Sequence, residues 1–226
     1  MQSKKRYGSP RVYRELKNRG ITCSRGHVAR LMRRSRLYAK AARRQRPRMP
    51  AVDRSALPNH LNRDFRVGVL NQAWGADMTY IRTAEGWLFL AVVMDLGSRR
   101  IVGWAMGSRP DTDLTIKALD MAFSQRTPPA LHHSDRGIHY TSARYRRMLA
   151  THGVEPSYSR VGNCWDNAVV ESFFHTLKTE EVHGAHYATR TQAKQRLFEF
   201  IEVWYNRKRR HTSLGHISPT DYERRL

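Results

Sequence analysis

The feature that most limits the fold is a run of seven apolar residues, Leu88–Met94, between Trp87 and Asp95. A strand with one face in water alternates apolar and polar side chains, whereas a strand covered on both faces is apolar almost throughout. The sequence therefore predicts a sheet with other elements packed on both of its sides.

The segments around this run predict the other elements of the domain. Strand patterns cover Trp74–Arg82 and Ile101–Met106, and the turn Gly97-Ser98-Arg99 makes the second and third strands an antiparallel pair. The elements that follow are a helix from Asp111 to about Gln125, a short strand before Asp135, a helix over Thr141–Thr151, a strand over Val154–Ser159, a loop over Asn163–Asp166, and helices over Asn167–Val182 and from Thr191 to about Arg207. This order is that of a ribonuclease H-like α/β fold, with a mixed five-stranded sheet flanked by helices.

Positive charge is concentrated at the N-terminus. The chain has 226 residues and a net charge of +22, from 41 Lys/Arg and 19 Asp/Glu. Residues 1–66 contain 20 of these basic residues and three acidic ones, so +17 of the charge lies there. This distribution favours a polyanion-binding module ahead of a more balanced body, although a solvated basic surface without a partner is the alternative.

Residues 1–37 predict a small all-helical module. Ser9 is a candidate N-cap with Pro10 in the first turn, Gly20 ends that helix, and Ser24 begins a second helix. This resembles the last two helices of a helix-turn-helix unit, whose second helix enters a major groove. A basic hairpin that only contacts phosphates is the alternative. The candidate DNA-binding residues on the second helix are Arg25, Arg30, Arg33 and Arg34.

Residues 38–66 predict an extended linker that becomes ordered only on DNA, since they are rich in arginine and proline and have little periodicity. The predicted catalytic core is then 67–226. No run reaches the 18 apolar residues that a membrane span requires, and Cys23 and Cys164 form no disulfide framework or zinc spacing. We therefore expect a cytosolic protein without a membrane partner.

Three carboxylates, Asp77, Asp135 and Glu171, lie in contexts that suit a shared metal site. Asp77 lies in the first strand, Asp135 follows the apolar approach to a turn, and Glu171 lies in an apolar helical segment. In the predicted fold all three meet at one edge of the sheet. Phosphoryl transfer by paired Mg²⁺ ions about 4 Å apart needs hard oxygen ligands, which three carboxylates supply.

Two further blocks of sequence resemble motifs of one known family. Ser157–Ala168, leading into Glu171-Ser172-Phe173-Phe174 and Leu177-Lys178-Thr179-Glu180, resembles the block around the glutamate of the DDE transposases and retroviral integrases. Tyr205–Gly215, followed by Ser218-Pro219, is similar to their C-terminal motif. The subgroup that the chain most resembles is the bacterial insertion-sequence transposases whose catalytic frame is the downstream one of two.

This resemblance implies a function. Asp77, Asp135 and Glu171 would be the catalytic residues and the ligands of two Mg²⁺ ions, for which Mn²⁺ can substitute. The activity would be metal-dependent cleavage at insertion-sequence ends and transfer of the 3′ hydroxyl to another phosphodiester. The implied partners are the terminal inverted repeats and the target DNA, bound by a homo-oligomer at the bacterial nucleoid. It also implies that the chain is a piece of a frameshift fusion with an upstream frame.

Other polar residues are weaker candidates. Lys178 lies seven residues after Glu171, on the same side of the helix, where it can contact a phosphate or be a solvated lysine. Asp95 and Asp166 are interpreted as a strand-end cap and a helix N-cap. Residues expected to flank the DNA track are Arg136, Arg207, Arg209 and Arg210.

Two other functions remain open from the sequence. One is a catalytically silent DNA-binding regulator of transposition, which the three carboxylates disfavour. The other is a ribonuclease H-type hydrolase, which the basic N-terminal module and the absence of a clear fourth active-site carboxylate disfavour.

Overall fold

The architecture is described from a computed structural model of the chain. It describes residues 6–39, 57–65, 69–160 and 164–226, apart from the side chains of Cys164 and Trp165. Most of the predicted linker, residues 40–56 and 66, lies outside these ranges.

A five-stranded mixed sheet forms the centre of the molecule. Its strands are β1 (Ala73–Thr83), β2 (Gly86–Asp95), β3 (Ile101–Gly107), β4 (Leu131–Ser134) and β5 (Glu155–Tyr158). They lie in the order β3-β2-β1-β4-β5, with β1 antiparallel to β2 and parallel to β4. The predicted sheet is confirmed, and each strand end lies within one residue of its predicted position.

Eight α-helices are present in the described residues; six of them correspond to predicted helices, whereas α4 and α8 were not predicted. They are α1 (Ser9–Asn18), α2 (Arg25–Arg34), α3 (Thr112–Gln125), α4 (Ile138–Thr141), α5 (Ala143–Thr151), α6 (Ala168–Leu177), α7 (Arg190–Phe198) and α8 (Pro219–Glu223). The predicted caps Ser24 and Asp111 accept hydrogen bonds from His27 N and Leu114 N. Ser9 was wrongly predicted as a cap, because Gly8 occupies that position.

Both faces of the sheet are covered, as the apolar run predicts. Leu88, Leu90, Val92 and Met94 of β2 pack into a cluster with α6 and α7, whereas Ala91 and Val93 pack into a second cluster with α3 and α5. Burial on both faces leaves no polar position in the strand, which explains the continuous apolar sequence.

Two helices continue into π turns, in which the backbone hydrogen bond spans five residues instead of four. α6 continues as Lys178–Val182, where His183 N donates to Lys178 O at 2.7 Å, and α7 continues as Glu199–Tyr205. Such turns rotate the following side chains relative to a regular helix. Glu180 and Glu181 are buried in the first of these turns.

The N-terminal module packs on these two acidic residues. Arg6 forms a buried ion pair with Glu181, and Arg11 lies 3.7 Å from Glu180. Tyr7 is buried, stacks at a tilt on Trp204, and its hydroxyl accepts from the Arg210 backbone N–H at 3.0 Å. The start of the module is therefore part of the core domain.

Residues 57–65 also belong to the core, so the prediction of an extended linker is wrong for this part. Tyr158 N donates to Pro58 O at 2.9 Å, and the Leu61 side chain is buried in the cluster beneath α6. The backbone N–H of Leu61 donates to Ser157 Oγ at 3.1 Å. Hydrogen bonds and apolar burial hold this stretch against β5.

Candidate active site

The pairing of β1 with β4 places Asp135 beside Asp77. In the parallel register Ser134 lies opposite Ala76, and the next residue on each strand is a carboxylate. Because β4 ends at Ser134, the chain leaves the sheet at this point, and Asp135 lies at the surface while Asp77 is half-buried. Two acidic side chains therefore meet where β1 loses its neighbour.

A glycine allows α6 to bring Glu171 to the same place. A Cβ added at Gly75 would lie 2.7 Å from Val170 Cγ2, closer than such atoms can approach. Asn167 fixes the start of the helix, since its side-chain amide donates to Ala76 O at 3.2 Å. Glu171 follows Val170, and Asp77 lies two residues from Gly75 on the same face of β1.

The Asp135 carboxylate is held by the turn that follows it. The Gly137 backbone N–H donates to Asp135 Oδ1 at 2.9 Å, and a Cβ at Gly137 would lie 2.8 Å from that oxygen. In the same way, the Met78 N–H donates to Asp77 Oδ1 at 2.7 Å. Each aspartate thus uses one oxygen to fix its position and keeps a second one for another partner.

The three carboxylates lie close enough for the charges of Asp135 and Glu171 to act on Asp77. Burial, together with the negative charges of Asp135 and Glu171, raises the pKa of Asp77 to about 8. Partial desolvation by the surrounding protein also raises the pKa values of Asp135 and Glu171, although both residues are exposed at the surface. Within the described ranges no Lys or Arg forms an ion pair with any of the three. Such a group binds a cation favourably, because a cation removes the mutual repulsion.

Lys178 lies at the edge of this group. Its Nζ is 5.2 Å from the centre of the Tyr80 ring, and its charge acts to lower the pKa of Asp77. The side chain is half-buried, and burial lowers the pKa of its ammonium group. Lys178 therefore lies beside the carboxylates, as its spacing from Glu171 predicts.

The three carboxylates suit a hard divalent cation by their chemistry, since all the available donors are oxygens. In the part of the chain that the structure describes, no three His, Cys, Asp or Glu side chains are already gathered tightly enough to form a finished metal site. Asp77 and Asp135 each direct only Oδ1 to the backbone, so the second oxygen of each would be the one to hold an ion.

The arginines predicted to contact DNA fall into two groups. Arg207 and the four arginines of α2 are exposed, where they are available to a phosphate backbone. Arg209 was assigned to that surface and must be corrected, because it is buried and its Nε donates to Glu180 Oε1 at 3.0 Å. Arg210 and Arg136 likewise form internal contacts: Arg210 Nε donates to Glu15 at 2.7 Å, and Arg136 Nε donates to Ser159 O at 2.6 Å.

The two other acidic residues have structural partners. Asp95 accepts from the backbone N–H groups of Asn71 and Ser98, both at 2.7 Å, so its interpretation as a strand-end cap is confirmed. The interpretation of Asp166 as an N-cap is wrong, because Asn167 precedes α6. The fully buried Asp166 instead accepts from Arg63 and Arg160.

Gly75 is a site residue that the sequence interpretation missed. A glycine inside an otherwise apolar strand often marks a close approach of another element. That signal was present between Trp74 and Ala76, two residues before the first carboxylate.

Comparison with known families assigns nearly the whole chain. Residues 1–46 match the HTH-like domain, and residues 70–164 and 171–226 match two families that are both described as Integrase core domain. These matches confirm the predicted helix-turn-helix resemblance and the integrase-like core. Together they support DNA binding by the chain.

Curated relatives agree with this assignment. Transposase InsF for insertion sequence IS3A of Escherichia coli strain K12 is 44% identical over 98% of this chain and 78% of the relative. The insertion element IS600 uncharacterized 31 kDa protein of Shigella sonnei is 42% identical over 98% of this chain and 83% of the relative.

Solved structures support the fold. The HTLV-2 integrase catalytic core domain in complex with magnesium superposes with a TM-score of 0.52 at 15% identity, covering 70% of this chain and 99% of that one. The simian T-cell lymphotropic virus intasome in complex with PP2A regulatory subunit B56 gamma gives 0.56 at 14% identity, covering 88% and 66%. At such identities the likeness concerns the fold alone.

The described helices include none that is both long and apolar enough to cross a membrane. The sheet order and the matches over nearly the full length agree with one another. The chain belongs to the insertion-sequence transposases with an integrase core, the polynucleotidyl transferases of DNA transposition and integration.

Proposed function

We propose that this transposase cleaves DNA at the ends of its element and transfers the exposed 3′ hydroxyl to a second phosphodiester, with Asp77, Asp135 and Glu171 as ligands for two Mg²⁺ ions. Asp77 and Asp135 would hold one ion, and Asp77 with Glu171 the other. When bound, the ions supply activation of the attacking oxygen and stabilisation of the leaving oxygen. Mn²⁺ accepts the same oxygen ligands and should substitute.

The observation that carries this proposal is that, in the described residues, none of three adjacent carboxylates forms an ion pair, in a chain of net charge +22. With 41 Lys/Arg available, the neighbouring acids Glu180 and Glu181 are both paired with arginine. Three acids without an arginine partner, one of which has its pKa raised by the charges of the other two, are unfavourable unless they bind a cation during function.

The residues of the chain have separate tasks in this proposal. Gly75 and Asn167 set the distance between α6 and β1, and Gly137 orients Asp135. The Lys178 ammonium group would contact a phosphate next to the one that reacts. No serine or tyrosine is required as a nucleophile, because water and the DNA hydroxyl attack in turn.

We further propose that the chain acts as a homo-oligomer on double-stranded DNA, holding two element ends and the target in the bacterial cytoplasm. The helix-turn-helix match and the exposed arginines of α2 support contact with the terminal inverted repeats. The intasome to which the core is similar supports an oligomeric complex with DNA.

The test is cleavage and strand transfer on a plasmid that carries the element with its flanking DNA. Asp77→Asn, Asp135→Asn and Glu171→Gln should each reduce both reactions by roughly a thousandfold, since several kcal/mol of transition-state stabilisation is lost. Affinity for DNA should remain nearly unchanged. Asp113→Asn is the matched control, because it removes the same charge from an exposed acid on α3.

Three results would oppose the proposal. Cleavage in EDTA would exclude the metal ions, and substantial activity in one of the three variants would remove that residue from the site. A wild-type chain that binds the element ends without cutting them in Mg²⁺ would indicate a catalytically silent DNA-binding regulator. Efficient cleavage of the RNA strand of an RNA–DNA hybrid would indicate a ribonuclease H-type hydrolase.

A further inference from the structure

Residues 57–65 form a strap along β5, the edge strand that lies next to β4. The Leu61 side chain is buried in the apolar cluster beneath α6. Ser157 Oγ accepts from the Leu61 backbone N–H at 3.1 Å and lies 2.9 Å from His133 Nδ1 on β4. The strap is thus fixed to the core, although it is neither helix nor strand.

One end of the strap reaches the turn after Asp135. Leu57 O accepts a hydrogen bond from Arg136 Nη2 at 2.9 Å, and Arg136 Nε donates to Ser159 O at 2.6 Å. Arg136 directly follows Asp135, so its guanidinium group joins the backbone beside that carboxylate to the strap and to the end of β5. The strap therefore holds the chain where it leaves β4.

The middle of the strap reaches the residue before the start of α6. Asn59 Nδ2 donates to Asp166 Oδ2, and Arg63 Nε donates to Asp166 Oδ1, both at 2.8 Å. The next residue, Asn167, precedes α6 and holds that helix against β1 through its side-chain amide. α6 carries Glu171, so the strap contacts the chain on the approach to the third carboxylate.

The contacts at Asp166 exceed what is needed to anchor the strap itself. Arg160 adds three further donors to this fully buried carboxylate, namely its backbone N–H, Nε and Nη2. A carboxylate has room for about four hydrogen bonds, so both oxygens of Asp166 are saturated. Two side chains of the strap thus converge with Arg160 on one group, which is fixed in a single position.

We propose that the strap positions Asp135 and Glu171 relative to each other. Asn59 and Arg63 are the positioning residues, because they act through Asp166 and not on the reacting atoms. Asp135 follows β4 whereas Glu171 lies on α6, so only tertiary contacts set the separation of these two carboxylates. The inference rests on the proposed function, because a fixed separation matters most for carboxylates that share bound cations.

A fixed separation should appear as affinity for divalent cations. Partners that orient the ligands of a metal ion are typically worth 10–100-fold in metal affinity or activity. Release of the strap should therefore weaken cation binding by about tenfold while all three carboxylates remain present. This expectation separates positioning from a contact between Arg63 and DNA, which would change the affinity for DNA instead.

The first measurement follows the geometry in the full chain without metal or DNA. Spin labels are attached at Ile138 and His175, two exposed residues that lie shortly after Asp135 and Glu171 in the sequence, with serine in place of both native cysteines. Electron paramagnetic resonance then gives the distribution of distances between the labels. This distribution should be narrow when the strap is intact.

The variants remove the strap from Asp166. Asn59→Ala and Arg63→Ala each delete one donor, and the double variant deletes both. The double variant should broaden the distance distribution and raise the dissociation constant for Mn²⁺ about tenfold, measured on unlabelled chain by the signal of the free ion. Each single variant should lie between it and the wild type. Arg63→Lys, which keeps the charge, should lie closer to the wild type than Arg63→Ala.

Arg126→Ala is the matched control. Arg126 Nη2 donates at 2.6 Å to Glu223, a largely buried carboxylate on α8. Its loss removes an arginine from a buried acid, as Arg63→Ala does, but leaves the strap intact. The label distances and the affinity for Mn²⁺ should remain those of the wild type. A control that weakens Mn²⁺ binding as much as the strap variants would overturn the inference, because general loss of stability would then explain both.

Two further results would overturn the inference. One is a double variant with an unchanged distance distribution and unchanged affinity for Mn²⁺. The other is a strap variant that binds DNA more weakly but Mn²⁺ normally, which would make Arg63 a phosphate contact. If the double variant does not fold, the two single variants decide the question by the same measurements.

These measurements also separate the inference from the proposed function. If the wild type neither binds Mn²⁺ nor cuts DNA, but the double variant broadens the label distances, the proposed function fails and the positioning role stands. If the wild type binds Mn²⁺ and Asp77→Asn abolishes cutting, while the double variant behaves as the wild type, the positioning role alone fails.

Discussion

The acidic residues of the core form two groups that differ in their surroundings. Asp166, Glu180, Glu181 and Glu223 are buried or nearly so, and each accepts from at least one arginine. Asp77, Asp135 and Glu171 form no such pair in the described residues, although they lie within the same domain. If the excess of basic residues alone decided the pairing, arginines would lie beside the carboxylates of both groups.

The difference shows what each group does for the fold. A buried carboxylate that keeps its arginine stabilises the native state, because the unfolded chain loses that contact. A carboxylate whose neighbours are also negative favours the unfolded state at neutral pH. The ion pairs of the first group thus stabilise the contacts between elements. The repulsion within the second group destabilises the native state until a cation binds.

The largest expected effect on stability comes from the paired group. Asp166→Asn should lower the free energy of unfolding at pH 7 by about 2–3 kcal/mol, because the amide leaves Arg63 and Arg160 without a negative partner. We place the value below that of a fully buried pair, since both arginines are nearly half exposed. Urea unfolding measures this change in the free energy of unfolding. A loss under about 0.5 kcal/mol would mean that the Asp166 ion pairs do not stabilise the fold.

This loss should depend on pH. The arginines hold the pKa of Asp166 well below its ordinary value of 3.8. Its contribution is therefore complete above about pH 4 and decreases as the pH falls further, so the difference between wild type and variant should shrink in acid.

The unpaired group should give an effect of opposite sign. Without divalent ions, Asp77→Asn should raise the free energy of unfolding by about 1–2 kcal/mol at pH 8, with a discount for partial exposure. The pKa of Asp77 is raised from 3.8 to about 8, so the native state is increasingly penalised as the pH rises from about 4 to 8. The gain from the variant should therefore grow across that range and be small at pH 4. Mg²⁺ should stabilise the wild type and not the variant in thermal unfolding, and a destabilised variant at pH 8 would contradict the comparison.

The smallest effect should come from an ion pair in water. Arg144 and Asp113 form a pair in which both side chains are more than half exposed. Arg144→Ala should change the free energy of unfolding by less than about 0.5 kcal/mol, because solvent and salt screen such pairs. A larger loss of unfolding free energy in urea would show that an ion pair stabilises the fold even without burial. Pairing alone would then distinguish the paired carboxylates from the unpaired ones.

The sequence was sufficient for the fold, because the fold is encoded in local patterns. The apolar run Leu88–Met94 required a sheet with two covered faces, and turn and cap residues such as Asp111 set the element ends. Asp77, Asp135 and Glu171 were also identifiable as candidates, since each stands in an apolar context that fixes its element.

Partners across the chain were not predictable in the same way. Arg207 and Arg209 are both basic residues of one motif, yet one is exposed and the other is buried against Glu180. Asp166 is read as a cap from its place before α6, but its partners Arg63 and Arg160 come from other segments. The pairing of charged side chains depends on how distant elements pack together. A single sequence contains no direct information about that packing.

The π turn that ends α7 has a consequence for the length of that helix. Trp204 and Arg209 reach the Glu180 carboxylate from this turn and the residues after it, at 2.9 and 3.0 Å. A π turn spans one residue more than an α turn, so loss of one residue between Glu199 and Tyr205 converts it to regular α-helix and leaves the residues that follow close to their present orientation. Gain of one residue instead rotates the side chains that follow by about 100° about the helix axis, away from Glu180 and from the surface on which Tyr7 packs. This helix therefore tolerates loss of one residue more easily than gain of one.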